Sequence, residues 1–411
     1  MSFKLLTIGL MYSEFLRSFY KKHPEYKNLS YKEQCENILV ETSEPIGSYN
    51  RMFNKLGIEA ACIITNAEFL QKKWSEEHGI RSISNHQLVF EQVNELKPDV
   101  LWIDSIGFTE KSWVDRVRKY NPGIKLVIGS HCAPYNAKMI ENFKNLDFIF
   151  TCTPGLKNDL EKKNLKVYLA YHAFDPDVLK KISDNNSFPE NDFIFSGSLY
   201  KGGGFHDKRI ELLESILGNG IDLKIYGNLE KKCKTRAKQF IYYMFRLMHY
   251  LKIDKLLSRF PMFLNQKKYG ENFVPTNSRK LTKTVRPPVF GMDMFRLMQK
   301  SKIILNIHGD IAGDYAGNVR LFEATGVGSC LLTDDKRNLN DLFDVDKEIV
   351  VYKGFDDCIE KIKWLKENDE ERSRIAKSGQ QRTLASHNVE ERCKTIINII
   401  SMELRDKLLI N

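Results

Sequence analysis

An α/β fold built from two successive doubly wound units is predicted by three features of this sequence. Short apolar runs alternate with helical stretches along most of its 411 residues, the pattern of parallel strands joined by crossover helices. The alternation is interrupted at a polar linker, Asp184-Asn185-Asn186-Ser187-Phe188-Pro189-Glu190, and then resumes. Length agrees, because at roughly 150 residues per domain the chain holds two or three domains, and one linker favours two.

In the first unit, residues 1–183, strands are expected at 3–11, 59–65, 99–104, 125–129, 147–152 and 167–172, where Val, Ile, Leu and Phe concentrate. Helices are expected at 67–78 and 87–96. The polar, aromatic segment 13–44 exceeds an ordinary strand-to-helix connection and is expected to be a helical insertion near the cleft between the units. In the second unit, 191–387, strands are expected at 192–196, 222–226, 302–307, 329–333 and 348–351, and helices at 207–217, 292–299 and 356–366. The closing segment, 388–411, places Cys393, Ile396, Ile397, Ile400 and Leu404 on one face of an amphipathic helix.

Composition narrows the function. No apolar run approaches the ~20 residues that span a bilayer, and the start, Met1-Ser2-Phe3-Lys4-Leu5-Leu6, reads as a first strand and not as a signal peptide. A cytoplasmic protein is expected. The eight cysteines show no Cys-x-x-Cys spacing, so neither a disulfide framework nor a zinc site is expected. The formal charge is +10, yet residues 230–286 hold fifteen Lys or Arg against three acids, a net of +12, which leaves about −2 for the rest. One basic insertion therefore carries the excess, and a general polyanion-binding surface is disfavoured.

The most informative stretch is Gly317-Asn318-Val319-Arg320-Leu321-Phe322-Glu323-Ala324-Thr325-Gly326, followed by the apolar run Cys330-Leu331-Leu332-Thr333-Asp334. A polar turn opens a short helix, glycines close it and a buried strand follows. The helix start offers N–H groups and partial positive charge to an anion. Arg320 and Glu323 are three residues apart and share a face, so a cation suited to phosphate converges with an acceptor suited to sugar hydroxyls.

Together with Lys302-Ile303-Ile304-Leu305-Asn306-Ile307-His308 and Asn338-Leu339-Asn340-Asp341-Leu342-Phe343, this block resembles the C-terminal donor domain of CgeB-like, two-domain (GT-B) glycosyltransferases. The resemblance runs from about 192 to 387. In the first unit it rests loosely on Tyr49-Asn50-Arg51-Met52-Phe53-Asn54-Lys55-Leu56-Gly57. It implies two Rossmann-like domains facing a cleft, a last helix that packs back on the first domain, and a nucleotide-sugar co-substrate. It also implies that Glu323 holds the ribose and that Arg320 and its neighbours hold the diphosphate.

Other strand ends complete the expected donor site. Ser196-Gly197-Ser198 leads through Gly202-Gly203-Gly204 to Lys208 and Arg209 at a helix start, where glycines allow close backbone approach to phosphate. The spacing fits neither the Walker nor the dinucleotide-binding pattern. Tyr226-Gly227-Asn228 and Asn306-Ile307-His308 end two further strands, and Asn318 stands before the helix. Gly197, Ser198, Arg209, Tyr226, His308, Asn318, Arg320 and Glu323 are thus the expected donor-binding set. An inverting reaction needs a base in the first unit, and His131 and Asp104 are the candidates, with His172 and Glu44 behind them. Asp334-Asp335 is expected to cap the following helix, and no essential metal or other cofactor is expected.

In the basic insertion, Ile241, Met244, Phe245, Met248 and Leu251 share one helical face and Lys238, Tyr242, Arg246 and His249 another. Such a helix suits an anionic membrane surface. The expected partners are a nucleotide-sugar donor, a glycan or lipid-linked acceptor and possible contact with an anionic membrane, without nucleic acid. The competing functions are a nucleic-acid-binding module, for which no recognised motif is present, and a carbohydrate-binding protein without turnover.

Overall fold

The two expected sheets are both present in the computed structural model, which describes residues 2–42, 44–80, 84–183, 190–199, 207–251, 273–309 and 313–410. The first sheet uses β1 (Lys4–Gly9), β2 (Glu59–Ile64), β3 (Val100–Ile103), β4 (Leu126–Ser130), β5 (Phe148–Thr151) and β6 (Val167–Leu169) in the order β2-β1-β3-β4-β5-β6. The second uses β7 (Asn191–Ser196), β8 (Lys224–Tyr226), β9 (Val285–Arg286), β10 (Ser301–Asn306), β11 (Cys330–Asp334) and β12 (Val350–Tyr352) in the order β12-β11-β10-β7-β8-β9. All the strand pairs are parallel. Helices therefore cover both faces, which is why the strands read as continuous apolar runs.

Strand order locates the crevices. Chain progression reverses between β1 and β3 in the first sheet and between β7 and β10 in the second, and ligands of such sheets bind beyond the strand carboxyl ends at these reversals. Each sheet is sandwiched between two apolar clusters. The segment 13–44 forms the helices Ser13–Lys22 and Tyr31–Glu41, whose buried faces pack with Ile64, Ala67 and Leu70 in a fifth cluster.

The two units are stitched where the chain crosses between them. Phe174 N–H donates to the His387 carbonyl and Val389 N–H to the Phe174 carbonyl, both at 2.9 Å. Phe174 is buried against Gly326, where an added Cβ would lie 2.3 Å from its ring. The last helix, Val389–Ile410, packs on the first sheet as expected: Val389, Cys393, Ile396, Ile400 and Leu404 are buried with Phe3, Leu5, Trp102, Phe148 and Phe150.

Two expectations need correcting. Segment 230–286 is not wholly an insertion, since its last residues, Val285 and Arg286, form the edge strand of the second sheet beside β8. The helix Lys232–Tyr250 within it also turns a different face outward from the one expected. Ile241, Met244, Phe245 and Met248 are half-buried, whereas Phe240, Tyr243, Leu247 and Tyr250 are exposed, at 70, 62, 58 and 82%. The helix is apolar on more than one side, so periodicity cannot tell which side meets the body of the protein. Its expected continuation through Lys252, Lys255 and Arg259 lies outside the described residues, as do Gly202, Gly203 and Gly204.

Candidate functional site

The reversal point of the second sheet brings together three strand ends and one short helix. β7 ends at Ser196 and β10 at Asn306 on adjacent parallel strands, and the helix Arg320–Gly326 returns over them toward β11. Glu323 is buried, at 4% exposure. One of its oxygens, Oε2, stands 2.9 Å from Arg320 Nη1 but out of line for a hydrogen bond, so that it has no hydrogen-bond partner. Burial pushes this carboxyl above the usual range against the pull of Arg320 and His172. The Arg320 guanidinium meets the Met298 sulfur at 2.8 Å and reaches toward the Ser196 carbonyl at 3.4 Å, which lays it across the crevice.

His308 follows β10 with its side chain fully buried. Its Nδ1 is 2.7 Å from Asp334 Oδ1, and its backbone N–H donates to the same oxygen at 2.9 Å. Burial would raise Asp334, yet His308 and then Lys336 hold its carboxyl below the usual range. A carboxylate at Nδ1 fixes the imidazole tautomer and orientation, leaving Nε2 buried and without a partner. Asp334 therefore orients His308, a role distinct from the helix cap expected of it. Asn318 and Asn306 exchange side-chain hydrogen bonds of 2.6 and 3.3 Å, so Asn318 braces the turn before the helix. Gly317 is required there by space, because a Cβ would come within 2.3 Å of the Thr153 methyl and 2.6 Å of the Cys152 carbonyl in the first unit.

The remaining expected donor residues divide. Gly197 and Ser198 follow β7 at the crevice, as expected. Arg209 clamps its rim, donating to the carbonyls of Ser198 at 3.0 Å and Ile307 at 2.7 Å. It thereby ties the ends of β7 and β10 together. Tyr226 is buried at the end of β8, one strand away from the reversal, with Arg286 3.5 Å from its hydroxyl.

Across the cleft, the first sheet presents Asp104 at the end of β3, beside its own reversal point. Trp102 Nε1 donates to Ser130 Oγ at 3.0 Å, and Ser130 Oγ donates in turn to the Asp104 carboxylate. Asp104 keeps solvent contact, yet the protein packed around it desolvates the carboxyl and pushes it above its usual range, while Ser130 and His172 pull it down. Burial alone would lower His172, but the Cys132 thiol, Asp104 and Glu323 outweigh that and hold it above its ordinary value. His172 thus faces carboxylates from both units. His131 also lines this pocket, a cavity of about 150 Å3 floored by Tyr49, Trp102 and Phe150. Its ring leans on Phe143 at 5.1 Å, its Nε2 is buried and unpartnered, and burial lowers its pKa. Tyr12, in the turn between β1 and the helix Ser13–Lys22, is 66% exposed yet close enough to feel Glu323 and Arg320: desolvation raises its hydroxyl first, then Glu44 and Glu323, with Arg320 opposing.

Glu44 accepts the Tyr12 backbone N–H at 2.8 Å, and burial drives its carboxyl up to about 7, with Tyr12 opposing and Asp104 adding. A folded-state value above the unfolded ~4.3 means that the folded protein prefers the protonated form. Stability from this group is full below ~4.3 and is lost as pH rises to about 7. Glu44→Gln is therefore expected to melt with the wild type near pH 4 and above it at pH 8. A melting-temperature difference that stays constant across that range would contradict the assignment.

Among the described residues, one group offers three soft metal ligands, Cys132, Cys152 and His172, with ligand atoms within 4.8 Å of one another. They follow three adjacent strands, so no sequence spacing announces them. Cys132 is exposed, although it follows an apolar strand, where a cysteine is commonly a small core hydrophobe.

Residues 209–398 match the model of a family described as glycosyl transferase-like. No curated protein matches the sequence. Among solved structures, a glycosyltransferase from Rickettsia africae is similar at TM-score 0.54 and 11% identity, over 98% of this chain and 99% of that one. Anabaena HepE in complex with UDP-glucose is similar at 0.54 and 8%, over 97% and 100%. Sucrose-phosphate synthase from Thermosynechococcus elongatus is similar at 0.56 and 8%, over 97% and 98%. At such identities the likeness is one of fold, and the fold is GT-B.

Proposed function

We propose that this chain, whose residues 209–398 match a family described as glycosyl transferase-like, moves a sugar from a nucleoside diphosphate donor to a hydroxyl acceptor across the cleft. The family match over 209–398 and the GT-B fold support glycosyl transfer; the donor chemistry, the acceptor and the residue roles are further parts of the same proposal. The observation that carries it is the buried Glu323–Arg320 pair at the reversal point of the second sheet, opposite Asp104 at the end of β3. The chain is accordingly divided into an acceptor-side domain 1–183, a donor domain 191–387 and a closing helix 388–411.

In this reading Glu323 accepts the ribose hydroxyls, and Arg320 and His308 neutralise the leaving diphosphate, with Asp334 keeping His308 aimed. The HepE complex contains UDP-glucose, which supports a nucleotide-sugar donor here. Asp104 takes the acceptor proton. Its Trp102–Ser130 relay and its place in the cleft favour it over His131, whose Nε2 is sealed inside the domain. His172, whose pKa Asp104 and Glu323 help to hold above its ordinary value, steadies both. Thermal shift against a panel of nucleotides and nucleotide-sugars tests the reading, since only native-state binders raise the melting temperature. No nucleotide shifting it would refute the donor site.

The two carboxylates beside the diphosphate position are each engaged by a cation, Glu323 by Arg320 at 2.9 Å and Asp334 by Lys336 at 3.5 Å, an arrangement that favours side-chain over metal neutralisation. Turnover is expected to survive chelation. A loss greater than roughly tenfold in EDTA, restored by magnesium or manganese, would contradict it.

The acceptor is proposed to be a glycan or lipid-linked sugar, met on the inner face of a membrane. No described helix is long and apolar enough to cross one. Support comes from the helix Lys232–Tyr250, whose outward Phe240, Tyr243, Leu247 and Tyr250 stand beside Arg236 and Arg246, a mixture suited to an anionic headgroup boundary. Phe240→Ser with Leu247→Ser and Arg246→Glu is expected to release the protein from anionic vesicles at low salt while nucleotide binding is unchanged. Wild-type protein that ignores such vesicles and binds single-stranded nucleic acid tightly would favour the nucleic-acid reading.

A further inference from the structure

The first unit carries a second cavity, of about 570 Å3, that none of these roles uses. It starts at the catalytic edge of the first sheet. Ser13 opens the helix that follows β1, and Asn66 follows β2, binding Met11 through its backbone N–H at 3.0 Å and its carbonyl at 2.7 Å. From there the groove runs between the helix Ser13–Lys22 and the start of the helix Glu68–Glu77. A ten-residue helix gives it a wall of about 15 Å, too long for a monosaccharide alone.

Its chemistry is one-sided. Arg17 and Lys21, four residues apart on one helical face, line it with Lys27, and Glu68 is the only carboxylate among the lining residues. Arg17, Lys21 and Lys27 are exposed and take part in no ion pair among the described residues. Lys22 provides the contrast, because its turn of the same helix faces the second unit, where Asp293 neutralises it at 2.6 Å. The floor is aromatic: Phe69, 41% exposed, packs on Tyr20 at 4.9 Å between ring centres, with Lys27 4.2 Å above it. Unpaired cations spaced along an aromatic floor suit a chain that alternates negative groups with sugar or polyol faces.

We propose that this groove binds the body of a linear anionic acceptor, a glycan or polyol chain bearing phosphodiesters or carboxylates, and delivers its terminal hydroxyl to Asp104. The proposal rests on the glycosyltransferase reading and gives it a substrate class. The cations hold the chain by charge, and the exposed part of Phe69 offers apolar contact to its neutral groups.

The test is fluorescence anisotropy with four labelled oligomers of equal length: a glycerol phosphate oligomer, a uronate oligosaccharide, a neutral oligosaccharide and oligodeoxythymidylate. Wild-type protein is expected to bind one of the first two at least about tenfold more tightly than the neutral one, with the preference fading as salt rises. The winner identifies the negative group. Arg17→Glu with Lys21→Glu and Lys27→Glu, all at exposed positions, is expected to erase the preference without changing the melting temperature or the affinity for nucleoside diphosphates. Equal binding of neutral and anionic glycans, an unaltered preference in the triple variant, or tightest binding of the deoxythymidylate oligomer would each overturn the proposal. Failure of nucleoside diphosphates to bind either protein would refute the donor site separately, and the groove would still be judged by its own preference.

Discussion

Glu323→Gln is expected to weaken nucleoside diphosphate binding about tenfold or more while leaving the protein at least as stable as the wild type. The carboxylate is buried and one of its oxygens lacks a hydrogen-bond partner, so the free protein holds a desolvated acceptor that a ribose hydroxyl would satisfy. Losing a charge-assisted hydrogen bond costs about 1.5–3 kcal/mol, and each 1.4 kcal/mol is tenfold. Removing the charge also relieves the burial that raises this carboxyl. Arg320→Ala is expected to lose as much affinity but to be less stable, because it leaves Glu323 buried without its cation, a change worth about 3–5 kcal/mol where burial is complete. Calorimetry with unchanged nucleotide affinity in both variants would remove the proposed donor site.

Asp104→Asn is expected to lower kcat by about 10²–10⁴, the range for loss of a positioned general base, with nucleotide affinity intact. The substituted amide still accepts from Ser130, so geometry survives and proton transfer does not. Because the cleft raises this carboxyl, the wild-type rate should climb with pH until Asp104 is ionised, and the variant should lose that limb. His131→Ala serves as the comparison: its Nε2 is sealed in the domain, so a much smaller loss is expected. The reverse ranking would return the base to His131.

Much of this was legible because it depends on local spacing. The Arg320–Glu323 convergence follows from three-residue separation on a helix, and the apolar runs fall on the strands of two all-parallel sheets. The packing face of the last helix was legible for the same reason: Cys393, Ile396, Ile400 and Leu404 repeat at helical spacing. What depends on strand order was not. Asp334 reaches His308 only because β11 lies beside β10, and Asp104 reaches Ser130 only because β3 lies beside β4. Arg209 was legible as a cation at a helix start, but its grip on the carbonyls of Ser198 and Ile307 was not, because that depends on β7 lying beside β10. Gly317 read as a turn residue, whereas its need is contact with Thr153 in the other unit.

Hydrogen–deuterium exchange with and without a bound nucleotide-sugar tests the central claim most directly, because it reports where the donor sits. The account predicts slower exchange at the end of β10, around Asn306 to His308, and across Asn318 to Glu323, together with protection near Tyr12 and Asp104 as the cleft closes on the sugar. Protection confined to the helix Lys232–Tyr250, or absent from both strand-end segments while the nucleotide is demonstrably bound, would contradict it.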